Sequence, residues 1–242
     1  MTPQQYLEHV AADSAHFASQ AAGSLDHAVP ALGWTARELV GHLGAVYAYV
    51  TANAKPGTEY TAAGDEGRAP EGDAINDWFA ERRDVMLETL THLGDEVTVW
   101  THAGLQTGQW WKRRMACETA VHRWDLDAAI NGVDGAEPID GDLATIGVDE
   151  YLEVSLRISA DRPERTYPAE SLHLHRSDGP GEWMIVAADG GGVTVTHEHG
   201  KGDAAVRGPA SDLFLWIWGR DVTGVEIFGD EAVANAWKSL AP

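Results

Sequence analysis

Glu118 and His122 stand four residues apart in the run Trp110 to Ile130, WWKRRMACETAVHRWDLDAAI. If the run is helical, at about 100° per residue the two side chains project within roughly 40° of each other. A carboxylate and an imidazole so placed are metal-ligand types at metal-ligand spacing. Trp111, Arg114, Val121, Asp125 and Ala129 fall on the same side. An otherwise core-seeking stripe therefore carries two acids and an imidazole, and buried carboxylates are rare unless they are paired or bind metal. The competing reading is a surface helix in which the Glu-to-His pair merely supports the helix. This helix alone does not choose between them.

A third ligand is available in His42, on the edge of the apolar face of an earlier helical stretch. Catalytic zinc commonly takes three protein ligands and keeps one position open, and His42, Glu118 and His122 would supply that set. Asp125 is placed to orient an imidazole from behind. Two imidazoles and one carboxylate also accept nickel, cobalt or iron. Cys117, the one cysteine, reads as a small buried core residue rather than a nucleophile. His173/His175 and His197/His199 each share one face of a strand. In a meander the two pairs flank a strand and lie on the order of 10 Å apart, too far for one ion, so they read as solvent-facing. Arg220 follows a Trp-rich helix and either complements its C-terminal dipole or clamps a substrate carboxylate.

The elements that must position these residues follow from periodicity and caps. Thr2-Pro3-Gln4-Gln5 and Thr35 with Glu38 are capping boxes. They open helices expected over residues 2–28 and 35–52. Helical spacing returns over residues 74–92, with 55–72 read as a loop between, and the Glu118 helix ends near Asn131-Gly132. A short extended piece is expected at 97–100, followed by a turn-rich approach over 104–108. Four helices with a polar cluster facing inward imply a helix bundle. After 132–141, rich in Asn, Gly, Asp and Pro, a helix over 142–158 leads into alternating runs at 171–176, 182–187 and 192–199. Turn residues separate those runs, so they read as a β-meander. A strand at 204–207, a helix over 209–219, a strand at 225–228 and a helix over 231–240 complete an α+β second half. The expected domains are residues 1–135 and 140–242.

Thirty-eight acidic against 17 basic side chains give a formal charge of −21, which repels nucleic acid phosphates and anionic lipid surfaces. The arginine pairs Arg82-Arg83 and Arg113-Arg114 read as local helix charges. No apolar run approaches the length of about 20 residues that a membrane span needs, and the first residues lack a signal-peptide pattern. A cytoplasmic location is the expectation, with a monomer compatible and most of the ten tryptophans in the core.

Val29-Pro30-Ala31-Leu32-Gly33-Trp34-Thr35-Ala36-Arg37-Glu38-Leu39-Val40-Gly41-His42-Leu43 resembles the Gly-Trp-Thr-x-Arg-(Asp/Glu)-Leu-x-x-His-Leu signature of the mycothiol-dependent maleylpyruvate isomerase family, part of the DinB-like metal-binding bundles. Arg114-Met115-Ala116-Cys117-Glu118-Thr119-Ala120-Val121-His122-Arg123-Trp124-Asp125 is similar to its second signature, with Cys117 where many relatives have His. The resemblance covers nearly the whole chain. It implies an N-terminal DinB-like four-helix bundle followed by a smaller α+β domain with an antiparallel sheet. It also implies zinc on His42, Glu118 and His122, mycothiol as thiol co-substrate, and Arg220 in substrate binding. The implied chemistry is addition of a thiolate to a small electrophile, in cis-trans isomerisation or in S-transfer. A non-catalytic metal- or ligand-binding protein that keeps the bundle is the alternative.

Overall fold

Both capping boxes form. The computed structural model of the chain describes residues 1–156, 166–188 and 192–241, and its first helix, α1 (Pro3–Ala21), starts at Thr2, whose hydroxyl accepts from the Gln5 amide while Gln5 reaches back to the Thr2 amide. It ends seven residues before the expected Ala28, because Gly23 takes the left-handed conformation (φ 95°) and Ala28 is drawn into a ladder. That ladder joins β1 (Ala28–Val29) to β2 (Trp34–Thr35). Thr35 then caps α2 (Ala36–Asn53): its hydroxyl accepts from the Glu38 amide at 3.3 Å, and the Glu38 carboxylate accepts from the Thr35 amide at 2.7 Å. A well-made start of this kind sets the rotation of the helix, and therefore where His42 points.

Helix α3 (Ala74–His92) matches its periodicity. The extended piece is the first strand of a hairpin, β3 (Thr98–Thr101) with β4 (Gly104–Thr107), and the second strand occupies what reads as a turn-rich approach in sequence. The hairpin delivers the chain into α4 (Gly108–Asn131). In the unit Met1–Glu137, α1 packs on α4 and α2 packs on α3, with α2 also against α4. Residues 115–127 of α4 are all buried, so this helix is central, enclosed on every side.

Such a position forces its polar groups to find partners. Lys112 donates to the Leu93 carbonyl and to Asp95 at 2.9 and 2.7 Å. Thr119 meets the Tyr47 hydroxyl at 2.9 Å, and Arg123 reaches Asp13 and the Glu137 carbonyl. Asp127 accepts from Gln20, Asn131 and the Glu137 amide at 2.8, 2.6 and 2.7 Å. Arg82, read as a local helix charge, is also buried and pairs with Glu66 and Glu81.

The second unit, Pro138–Pro242, begins with α5 (Gly141–Glu150), which widens into a π-helical turn at Tyr151–Ser155. Residues 157 and 158 of the expected helix lie outside the described residues. Strands β5 (Leu172–Arg176), β6 (Glu182–Ala187) and β7 (Val193–Thr196) form the expected meander. Strand β8 (Ala204–Gly208) joins β5 in parallel, and β9 (Glu226–Gly229) pairs antiparallel with β8, so the order is β7-β6-β5-β8-β9. The sheet is antiparallel except at β5–β8, because the chain leaving β7 crosses to the far side of β5 before it pairs again. Leu172, Leu174, Trp183 and Ile185 on one face are buried. Helices α6 (Ala210–Ile217) and α7 (Glu231–Lys238) both pack against β5 and β8. Among the described residues no helix is long and apolar enough to cross a membrane.

Candidate metal centre

His42 and His122 come from different helices and aim the same ring nitrogen at one oxygen. His42 Nε2 lies 3.4 Å from Glu118 Oε1, and His122 Nε2 lies 3.3 Å from it. One ligand atom from each of the three residues can be chosen so that all lie within 4.8 Å of one another. The two imidazoles stand edge to face with centroids 5.0 Å apart. Two imidazoles and a carboxylate converging on one point from helices α2 and α4 form a donor set that fits a divalent ion.

The surroundings make each donor specific. His122 Nδ1 lies 3.0 Å from Asp125 Oδ2, the pairing that holds a ligand imidazole with Nε2 free to donate its lone pair. Arg114 donates to the other Glu118 oxygen, Oε2, at 2.5 Å, which leaves Oε1 to the imidazoles. Burial alone would raise the Glu118 carboxyl. The Arg114 charge, the His122 charge and hydrogen bonds from both histidines instead hold it well below the usual carboxylate range. Burial would lower His122, and the Glu118 and Asp125 carboxylates overcome it and raise it. Glu118 and His122 expose only 7% and 5% of their side chains, whereas His42 exposes 37% and rests against the Trp34 ring at 5.2 Å. The cluster therefore meets solvent on the His42 side.

Arg114 is the residue whose role the sequence reading missed. It reads as a local helix charge, yet it exposes only 12% of its side chain and belongs to the Glu118 carboxylate. Its i,i+4 spacing to Glu118 was the available signal, and that spacing is as common on solvated helices. Cys117 is buried, as a core residue should be. Arg220 is buried in the second unit, where Nη1 donates to the Trp218 carbonyl at the end of α6 at 2.6 Å and the guanidinium lies over the Trp218 ring.

The strand histidines depart from expectation. His173, His175 and His199 gather with Glu182, ligand atoms within 4.8 Å of one another, and His173 is buried. The spacing of about 10 Å assumed that His199 continues β7, but β7 stops at Thr196. His197 stays outside the cluster, 66% exposed and 3.8 Å from Asp149, and His199 is exposed as expected, at 77%, although it joins the cluster.

The family model described as the mycothiol maleylpyruvate isomerase N-terminal domain matches residues 7–127, and the MDMPI C-terminal domain model matches residues 142–236. Comparison with the curated proteins finds no match. Among solved structures, the crystal structure of a mutant of the mycothiol-dependent maleylpyruvate isomerase is similar at 16% identity, with a TM-score of 0.61, covering 94% of this chain and 93% of that one. A second crystal structure of the mycothiol-dependent maleylpyruvate isomerase is similar at 14% identity, with a TM-score of 0.60 and the same coverage.

Proposed function

Because the chain belongs to the mycothiol maleylpyruvate isomerase family, on matches that span residues 7–127 and 142–236, we propose that it is a metal- and thiol-dependent enzyme acting on a small electrophile. In this reading His42, Glu118 and His122 hold a divalent ion, zinc by donor type, and mycothiol is the thiol co-substrate. The observation that carries the proposal is the convergence of His42 Nε2 and His122 Nε2 on Glu118 Oε1.

A divalent ion held there supplies the positive charge that lowers a thiol pKa from about 8.5 and keeps a thiolate present at neutral pH. The chain's own residues do the rest. Asp125 fixes the His122 tautomer, and Arg114 keeps Glu118 ionised and in register. Three protein donors would leave a bound ion room for a further ligand, and the exposed flank of His42 is the side on which the thiol and its electrophile would meet it. With a cis double bond activated by a carbonyl, the sulfur adds to one alkene carbon, the resulting single bond rotates, and elimination returns the thiol with the trans product. In a transferase the sulfur stays on the electrophile and the same residues serve the addition. Arg220, in the second unit, is proposed for carboxylate binding, which a guanidinium matches in two parallel hydrogen bonds.

The test is metal content by mass spectrometry on wild type, His42→Ala and Glu118→Gln, alongside turnover of maleylpyruvate with and without mycothiol. Glutamine at 118 is preferred to alanine, because its amide oxygen still accepts from the buried Arg114, whereas truncation leaves that group without this partner. Thiol-dependent turnover that falls with the metal in both folded variants supports the reading. Metal binding without thiol-dependent turnover of any electrophile makes the protein a non-catalytic binder. No metal at these residues, even when zinc is supplied, rejects the site.

A further inference from the structure

We propose that His173, His175, Glu182 and His199 form a second divalent-metal site, built on the sheet of the C-terminal unit from residues that the helical cluster does not use. Strand register brings three of the donors together. His175 and Glu182 are directly paired across β5 and β6, and His173, two residues back, shares their face. His173 Nε2 lies 2.6 Å from Glu182 Oε2, and His175 Nδ1 lies 2.9 Å from Oε1.

The fourth donor arrives through topology. Since β8 pairs with the far side of β5, residues 197–203 must pass over β6 and β5, and His199 is carried onto the face that His173 and His175 occupy. The crossing lies close to the sheet. A Cβ on Gly200 would come within 2.8 Å of Met184 Cε, and one on Gly202 within 3.1 Å of the His173 amide nitrogen. At Gly202, where the near atoms are backbone, glycine lets the chain pass. His199 Nδ1 ends 3.1 Å from Glu182 Oε1 and 3.2 Å from Oε2.

The three rings surround the carboxylate edge to face, with centroid separations of 6.0, 5.6 and 6.0 Å. Three imidazole nitrogens and one carboxylate oxygen within 4.8 Å are zinc donor types in the number that fills a tetrahedral shell. Cobalt and nickel suit the same donors. With all four positions filled by protein, the ion holds the crossover against β5 and β6 and leaves no place for a substrate. Its role is that of a staple, and it does not depend on the activity proposed above.

The experiment loads full-length protein with zinc, removes the excess by gel filtration and counts the ion per chain by mass spectrometry. Wild type is set beside His199→Ala, Glu182→Gln, His42→Ala and the double variant His42→Ala/His199→Ala. The expected counts are two, one, one, one and none. His199 is 77% exposed in its side chain, so its replacement leaves the strands intact, and circular dichroism checks this. As a second measurement, zinc raises the Tm of His42→Ala but not that of the double variant. Zinc content unchanged from wild type in both folded His199→Ala and Glu182→Gln overturns the proposal, as does a folded His42→Ala chain that binds no zinc. One ion in wild type that survives in His42→Ala and disappears in His199→Ala upholds the sheet site and removes the helical one.

Discussion

The helical cluster and the sheet cluster use the same two side-chain types and arrive at different sites. His42, Glu118 and His122 offer three donors, two of them almost wholly buried and one 37% exposed. His173, His175, Glu182 and His199 offer four, with side-chain exposures of 5, 31, 26 and 77%. Three donors with one open flank suit chemistry, while four suit a closed structural shell. The carboxylates differ too. Glu118 divides its oxygens between an arginine and the imidazoles, so a positive charge holds it in place before any ion arrives. Glu182 gives both oxygens to imidazoles, whose hydrogen bonds outweigh its burial and hold its carboxyl below the usual range. A pre-paired carboxylate is anchored with or without an ion, whereas one held by three imidazoles gains most of its order from the ion.

The sharpest way to break this comparison is to neutralise each carboxylate in turn. Glu118→Gln is expected to lower thiol-dependent turnover by more than about 100-fold, beyond the loss typical of a ligand's outer partners. Glu182→Gln should leave turnover at the wild-type rate and remove only the second ion. Equal losses in steady-state assays of the two variants would make the clusters one functional system. Next in size, Asp125→Ala should weaken metal binding at the helical cluster by about 10–100-fold, read by competition with a chelator, without changing the affinity of the sheet cluster.

A smaller effect separates scaffold from site. Asp127, three hydrogen bonds from the chain and no donor, lies on the same helix as Glu118. Burial opposes its ionisation, but the Glu137 amide, Gln20 and Asn131 outweigh that and depress its carboxyl. A depressed carboxyl contributes stability that is full above its unfolded pKa of about 3.9 and is lost as pH falls through the folded value. Asp127→Asn should therefore cost about 2 kcal/mol at pH 7, and urea midpoints of variant and wild type should approach each other below about pH 3.9. Both metal counts stay unchanged. The smallest effect is expected of Thr35→Ala, which removes the cap of the helix carrying His42. It should cost about 1 kcal/mol of stability by urea denaturation and leave the sheet cluster untouched.

The two clusters were not equally readable. On helices, position follows from a fixed rotation per residue, so Glu118, His122 and Asp125 could be placed together once the run Trp110 to Ile130 was read as one helix. The two capping boxes marked where α1 and α2 begin. Arg114 could not be assigned in that way, because an i,i+4 arginine and glutamate look the same on a solvated helix and on one enclosed by α1, α2 and α3. The end of α1 at Ala21 was hidden for a related reason, since the β1–β2 ladder that competes for Ala28 pairs residues across a loop.

By itself the sequence determined most of the local geometry: where the main helices and the meander strands lie, the capping boxes that open α1 and α2, and which residues share the Glu118 stripe or a strand face. Only the tertiary structure decided which faces meet. His42 reaches Glu118 because α2 lies against α4, Arg114 becomes a buried partner because α4 is central, and His199 reaches Glu182 because β8 pairs beyond β5. Local geometry follows from backbone sterics and hydrogen bonds a few residues apart, whereas these encounters depend on burying apolar area between elements distant in the chain, which no single stretch encodes.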